Sequence, residues 1–266
     1  MRCPFLCSNN FHYVYPMTCN LKFFVCCVFS ILYLISNPAS AQNQRRSIHD
    51  LTADTSGWGL VKQLCKNAKN QFTILPVSSD KASMALTEAQ VTTRSPMGAI
   101  IYFTGGILID HGWIRILGSG SSQLGRTVMG WNKGKSYTQI GQQPAFLLVA
   151  DDAAGGFFAI NGGALGDDPG KLYYLSPDNL QWQALGIGYT DFIAFCLNGD
   201  LNTFYKNLRW KNWIADVQKL PADQVYSFYP FLWSEEGSNI ENVAKKPIPV
   251  EEQYQFNMDS RKQLAH

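Results

Sequence analysis

Residues 98–117 place the strongest constraint on the fold. Two β-branched and aromatic runs, Ala99-Ile-Ile-Tyr-Phe103 and Ile107-Leu-Ile109, flank Thr104-Gly105-Gly106, and a Gly-Gly pair supplies the positive φ of a tight hairpin turn. After the short link Asp110-His111-Gly112 comes a third run, Trp113-Ile-Arg-Ile-Leu117. The spacing predicts an antiparallel meander over 98–117. Further on, Ala145-Phe-Leu-Leu-Val149, Gly156-Phe-Phe-Ala-Ile160 and Leu172-Tyr-Tyr-Leu175 are separated by Asn161-Gly-Gly and Gly166-Asp-Asp-Pro-Gly170. These turn-rich breaks imply a second meander.

Helical periodicity lies mainly outside the meanders. On one side are 58–68, with Leu60, Val61, Leu64 and Cys65 on one face, and 80–91, bearing Met84, Ala85 and Leu86. Between them Phe72–Leu75 reads as a strand stopped by Pro76. On the other side are 189–197, 201–208 and 213–220, the last ended by Pro221. A short helix is expected over 124–131, an exposed excursion over 132–144, and an edge strand or ordered loop over Tyr226–Trp233, because Pro230 interrupts it. Strands in runs followed by helices in runs indicate an α+β fold. The expectation is an antiparallel or mixed sheet built from two meanders, with flanking helices mainly at the N- and C-terminal ends. One domain spans 48–258, between a polar tether at 42–47 and a polar tail at 259–266.

The first segment reads as a secretory leader. Lys22, the apolar run Phe23–Ile35 and the small-residue end Ala39-Ser40-Ala41 have the order of a signal peptide, with cleavage after Ala41 and Met17 as the candidate start. Thirteen apolar residues fall short of the roughly 20 that span a bilayer, so no stable membrane anchor is expected after cleavage. The expected location is periplasmic or extracellular. Residues 1–41 hold Arg2 and Lys22 and no acid, so the remainder carries 20 basic and 20 acidic side chains. A balanced chain offers no footprint for a phosphate backbone, and nucleic acid is not an expected partner. Of seven cysteines only Cys65 and Cys196 lie beyond the leader. An oxidising compartment would permit one disulfide between them; the other reading is that both sit in apolar helical patterns, where a buried free thiol acts as a small hydrophobe.

Motifs for common chemistries are missing. Gly118-Ser-Gly-Ser-Ser122 lacks the spacing of a nucleophile elbow and the Gly-Lys-Ser/Thr ending of a phosphate loop. His49, His111 and His266 are far apart, and no H-x-x-x-H or C-x-x-C pair suggests zinc. Asp110-His111-Gly112-Trp113 is the best candidate for chemistry, since Asp could orient the imidazole while Trp113 and Arg115 line a cleft. The same residues also make an ordinary turn. Asp151-Asp152 and Asp167-Asp168, with Asn161, offer hard oxygens, but without the D-x-D-x-D-G-x₅-E spacing of a calcium loop. No cofactor and no metal are expected. If both meanders share one sheet, Asp110, His111, Trp113 and Arg115 can meet Asp151, Asp152 and Asn161 at one rim, with His111 and Asp151 facing a common cleft.

Four segments also carry a resemblance: Gln90–Tyr102, Thr104–Gly120, Val149–Gly163 and Tyr226–Trp233. Over about 48–258 the chain resembles a family of uncharacterised bacterial proteins known only as a domain of unknown function. Gly155–Ile160, Leu172–Leu175 and the helix opening at Tyr189-Thr-Asp-Phe-Ile193 are similar in order to the SUKH superfamily of Smi/Knr-type domains. That resemblance implies an α+β binding module. The expected function is therefore an exported, non-catalytic module that binds a protein or small ligand. The alternative is an envelope hydrolase built on Asp110, His111 and Arg115.

Overall fold

A computed structural model describes residues 45–264. The leader, its cleavage point at Ala41 and the start of the tether lie outside the described residues. The domain opens with helix α1 (Ile48–Thr52), whose Ser47 hydroxyl accepts from the Asp50 amide while the Asp50 carboxylate accepts from the Ser47 amide. This reciprocal pair satisfies two otherwise unpaired amides. Helix α2 (Ser56–Lys66), strand β1 (Phe72–Ile74) and helix α3 (Ser79–Ala89) follow in the order expected.

The next segment departs from expectation. Residues Pro96–Phe103 form helix α4, not the first strand of a hairpin. Ser95 accepts from the Gly98 amide and Pro96 occupies the first turn, two start signals that outweigh the β-branched composition. Gly98 to Ile101 are all buried, and a short apolar run buried on every side has no periodicity to separate helix from strand. Gly105 and Gly106 thus link a helix to strand β2 (Gly106–Ile109), with Gly106 at φ 141°. The hairpin is instead β2 with β3 (Ile114–Leu117). Four residues, 110–113, separate the paired Ile109 and Ile114, and the turn places Asp110 at φ 51°, His111 at φ 61° and Gly112 at φ 88°, left-handed backbone that glycine adopts freely and Asp and His tolerate better than most.

After helix α5 (Val128–Asn132) come β4 (Phe146–Asp152), β5 (Phe157–Asn161), β6 (Leu172–Leu175) and a short strand not anticipated, β7 (Trp182–Ala184). All seven strands form one antiparallel sheet in sequence order, β1 to β7, so the two meanders are one. Helices α6 (Tyr189–Asn198), α7 (Leu201–Phe204) and α8 (Trp213–Val217) follow. Strands β8 (Gln224–Tyr229) and β9 (Ala244–Pro249) make a separate antiparallel ribbon, and helix α9 (Val250–Leu264) closes the fold. The tail expected at 259–266 therefore continues as helix to Leu264, with Ser260 buried. The class is α+β.

Register divides the core between two faces of the sheet. One face carries Ile109, Ile114 and Asp152 in one row and Ile107, Ile116, Ala150, Phe158 and Tyr174 in another. It packs against Val61 of α2 and Phe192, Ile193, Cys196 and Leu197 of α6. The opposite face carries Thr73, Leu108, Arg115, Asp151, Phe157 and Leu175. Phe157 and Leu175 pack there with Trp131 of α5, Val225 of β8 and Tyr254 of α9. Cys65 and Cys196 are free thiols, and burial pushes both pKa values up, which disfavours the nucleophilic thiolate.

Candidate functional site

The β2–β3 turn is pinned from both sides. Gln71, just before β1, accepts the Asp110 amide on its carbonyl and the His111 amide on its side-chain oxygen, each at 2.7 Å. The Asp110 carboxylate accepts from Arg209 Nη2 at 2.5 Å. Arg209 in turn lies over the rings of Trp213 at 3.9 Å and Trp113 at 4.9 Å. Asp110 is therefore committed to an aromatic-boxed arginine and does not orient the neighbouring imidazole. His111 Nδ1 lies 3.4 Å from Gln218 Nε2, and its ring centroid is 6.1 Å from that of Trp213.

A cleft of about 470 Å³ opens beside this turn. It is lined by Thr73, Leu108 and Arg115 of one sheet face, by Gln71, His111 and Gln123, and by Val217, Gln218, Leu220, Pro221 and Ala222. Val217, Leu220 and Pro221 make one side apolar, while Gln71, Gln123 and Gln218 bring uncharged hydrogen-bonding groups. His111 and Arg115 thus share a cleft. Asp151 does not line it: the side chain is fully buried, one strand further in, opposite Arg115.

Asp151 is the hub of a charge cluster. Its Oδ1 is 3.4 Å from Arg115 Nη1 and its Oδ2 accepts from Arg126 Nη1 at 2.6 Å. Arg126 Nε donates to Asp223 Oδ1 at 2.8 Å and its Nη2 to the Ala222 carbonyl at 3.0 Å. Arg115 Nη2 donates to the Gln224 carbonyl at 2.9 Å. Burial pushes Arg115 below the ordinary arginine pKa; the Asp151 charge opposes this and the Arg126 charge adds to it. At Arg126 burial acts in the same sense, but Asp151 and Asp223 outweigh it and hold the proton more tightly than usual.

The remaining expected residues serve the fold. Trp113 is fully buried within a ring cluster with Tyr205, Trp210 and Trp213, so it forms core rather than a cleft wall. Its indole N–H has no hydrogen-bond partner among the described residues, nor has the Tyr205 hydroxyl. Asp152 points to the sheet face opposite Asp151, where Tyr174 donates to it at 2.7 Å and the Ala154 and Gly156 amides donate at 3.0 and 2.9 Å. Asn161 sits at the far end of β5, opposite Phe146 rather than beside the His111 turn. There it organises the following loop, donating to the Gly166 carbonyl and accepting from the Gly163 and Leu165 amides. The proposed single rim therefore does not assemble, because the side chains of Asp151 and Asp152 alternate across the sheet and Asn161 lies one strand length away. Among the described residues, no group of three or more His, Cys, Asp or Glu side chains gathers to hold a metal. No helix among them is long and apolar enough to cross a membrane.

Sequence reading missed Arg126, Asp223, Arg209, Gln71 and Gln218, which lie in loops and carry no motif. One signal was present: Arg115 stands between Ile114 and Ile116 on a strand, and an arginine on a covered sheet face requires a carboxylate partner.

The fold and cleft define an α+β domain built on a seven-stranded antiparallel meander, with a side cleft floored by a buried arginine. The chain belongs to the family described as "Protein of unknown function DUF2625", whose model matches residues 48–253. It is 45% identical over 213 residues to an uncharacterized protein of Haemophilus influenzae, covering 80% of this chain and 93% of the relative. It is also 45% identical over 183 residues to the putative uncharacterized protein YbfG of Escherichia coli, covering 69% of this chain and 83% of that one. No solved structure matches. The SUKH resemblance has no counterpart among these matches.

Proposed function

We propose that this protein is an exported, non-catalytic binding module whose small ligand occupies the cleft beside His111. The observation that carries the reading is the cleft itself. It combines an apolar wall, several uncharged hydrogen-bonding side chains and one buried cation, the usual make-up of a small-ligand pocket. Catalysis is the weaker reading because Asp110 is held by Arg209 and leaves the His111 ring without a carboxylate to orient it. Export rests on the leader pattern that ends at Ala41.

Two measurements test this reading. N-terminal sequencing of the protein from the envelope fraction should begin at Gln42, and an intact Met1 or Met17 terminus there would overturn export. A small-molecule screen by thermal shift, followed by NMR mapping, should give hits that move the amide signals of Gln71, Gly112 and Gln218. Hits that all map elsewhere would refute the cleft as the binding site.

A further inference from the structure

We propose that the ligand of this cleft carries a carboxylate, seated on the Arg115 guanidinium, with an apolar body against Leu108, Val217, Leu220 and Pro221. The proposal rests on the binding reading above and adds the ligand's chemical class. Arg115 is 1% exposed and lines the cleft, so its charge has left water and needs a partner. The carboxylate beneath it is already committed. Asp151 gives its close contact, 2.6 Å, to Arg126 and only a long one, 3.4 Å, to Arg115. A guanidinium has five N–H donors in a planar fork; Asp151 and the Gln224 carbonyl engage two of them in Arg115. A planar anion entering from the cleft would complete this under-compensated cation through charge-assisted hydrogen bonds.

The lining supports an acid over a neutral ligand or a base. None of the lining residues is acidic, and the two that can carry positive charge are Arg115 and His111. A single buried guanidinium matches the one negative charge of a carboxylate, whereas a phosphate dianion would need a second cation, which only His111 among the other lining residues could supply. Gln71 and Gln218 line the same cleft beside His111, and a side-chain amide can donate to or accept from a ligand amide.

The test compares N-acetyl-leucine with N-acetyl-leucinamide and phenyl phosphate, titrated into the intact protein and followed by NMR and calorimetry. The acid should bind roughly tenfold or more tightly than the amide, the ratio that one charge-assisted pair supplies, and should move the signals of Gln71, Gly112 and Gln218. An amide that binds the cleft as tightly as the acid overturns the carboxylate inference and leaves the small-ligand reading standing. Tighter binding of phenyl phosphate overturns it in favour of a phosphate. Absence of any cleft response to all three at millimolar concentration overturns it as well, and the independent screen then decides the broader reading. Arg115→Lys keeps the charge and removes the fork. If it retains the native near-ultraviolet circular dichroism, it should lose most of the acid-over-amide preference, and an unchanged preference overturns the role of Arg115. The wild-type comparison of acid and amide decides the matter even if that variant fails to fold.

Discussion

Asp151 and Asp152 are neighbours on β4 and both are fully buried, yet they do different work on opposite faces of the sheet. Asp151 joins distant parts of the chain: Arg115 on β3, Arg126 in the loop before α5 and, through Arg126, Asp223 at the start of the β8–β9 ribbon. Asp152 acts locally, its Oδ1 accepting the amides of Ala154 and Gly156 and its Oδ2 the Tyr174 hydroxyl. One carboxylate is shared between two arginines, one of which lines a cleft; the other holds a turn. Burial of an acid therefore does not identify its role, and the alternation of side chains along a strand decides which environment each meets.

Removing one acid from each face should separate the two roles. Asp151→Ala leaves Arg115 and Arg126 without their shared carboxylate inside the protein. Loss of one partner from a buried ion pair typically costs about 3–5 kcal/mol, and urea denaturation should show a loss of that size. A loss under about 1 kcal/mol would mean that water or another group compensates the arginines, and would erase the distinction between the faces.

Helix α4 serves both faces, since Ile100 packs into one core cluster and Ile101 into the other. Its Gly98 gives the second test. Replacing a helical glycine by alanine normally stabilises by about 1 kcal/mol. Here the added Cβ would collide with the Thr92 carbonyl oxygen, so Gly98→Ala should destabilise by about 1–3 kcal/mol instead, as overpacking does. A rise in melting temperature would show that α4 can move away from Thr92 and that the two core clusters are less rigidly joined.

Helix α4 also marks where sequence reading failed. The strands β2 to β6 were legible from β-branched runs between glycine-rich breaks, and α2, α3 and α6 from their 3.6-residue period. Residues 96–103 offered no such period because nearly every side is buried, and the decisive signals, Ser95 at the cap and Pro96 behind it, are single residues. Strand β7 has only three residues, two of them exposed, and β9 contains two prolines, so neither carries a strand pattern. The cleft was half legible. His111 and Arg115 stood out beside a turn, but Gln71 and Gln218 are brought to His111 from 40 and 107 positions away, and no local spacing encodes such a meeting.

The third test uses pH. Burial raises the Asp152 pKa above its ordinary 3.8, with the Tyr174 hydroxyl and the Gly156 amide opposing the shift. A carboxyl whose folded pKa exceeds its unfolded value favours folding most when protonated. Its contribution is complete below about pH 3.8 and declines as pH rises through the folded value. Asp152→Asn removes this titration and one acceptor, at a cost of about 1 kcal/mol near the acid end. The stability gap between wild type and variant should therefore narrow as pH rises from 3.5 toward neutrality. A gap that widens over that range would mean that hydrogen bonds hold Asp152 as a carboxylate despite its burial.

The smallest effect on stability is expected at the cleft. His111 holds a left-handed backbone at φ 61° between Asp110 at 51° and Gly112 at 88°, a conformation that costs a side-chain-bearing residue about 1–2 kcal/mol. Glycine adopts it freely but loses about 0.4–1 kcal/mol through the greater freedom of the unfolded chain. The two terms nearly offset, so His111→Gly should leave stability unchanged or raise it by up to about 1 kcal/mol. His111→Ala keeps the backbone strain and should be the less stable of the two. Chemical denaturation of both variants checks the order. If His111 serves the ligand rather than the fold, His111→Gly should weaken binding of N-acetyl-leucine in the cleft while the protein melts at or above the wild-type temperature. A clear drop in melting temperature would instead assign the imidazole, packed beside Trp213 and Gln218, to holding α8 on the turn.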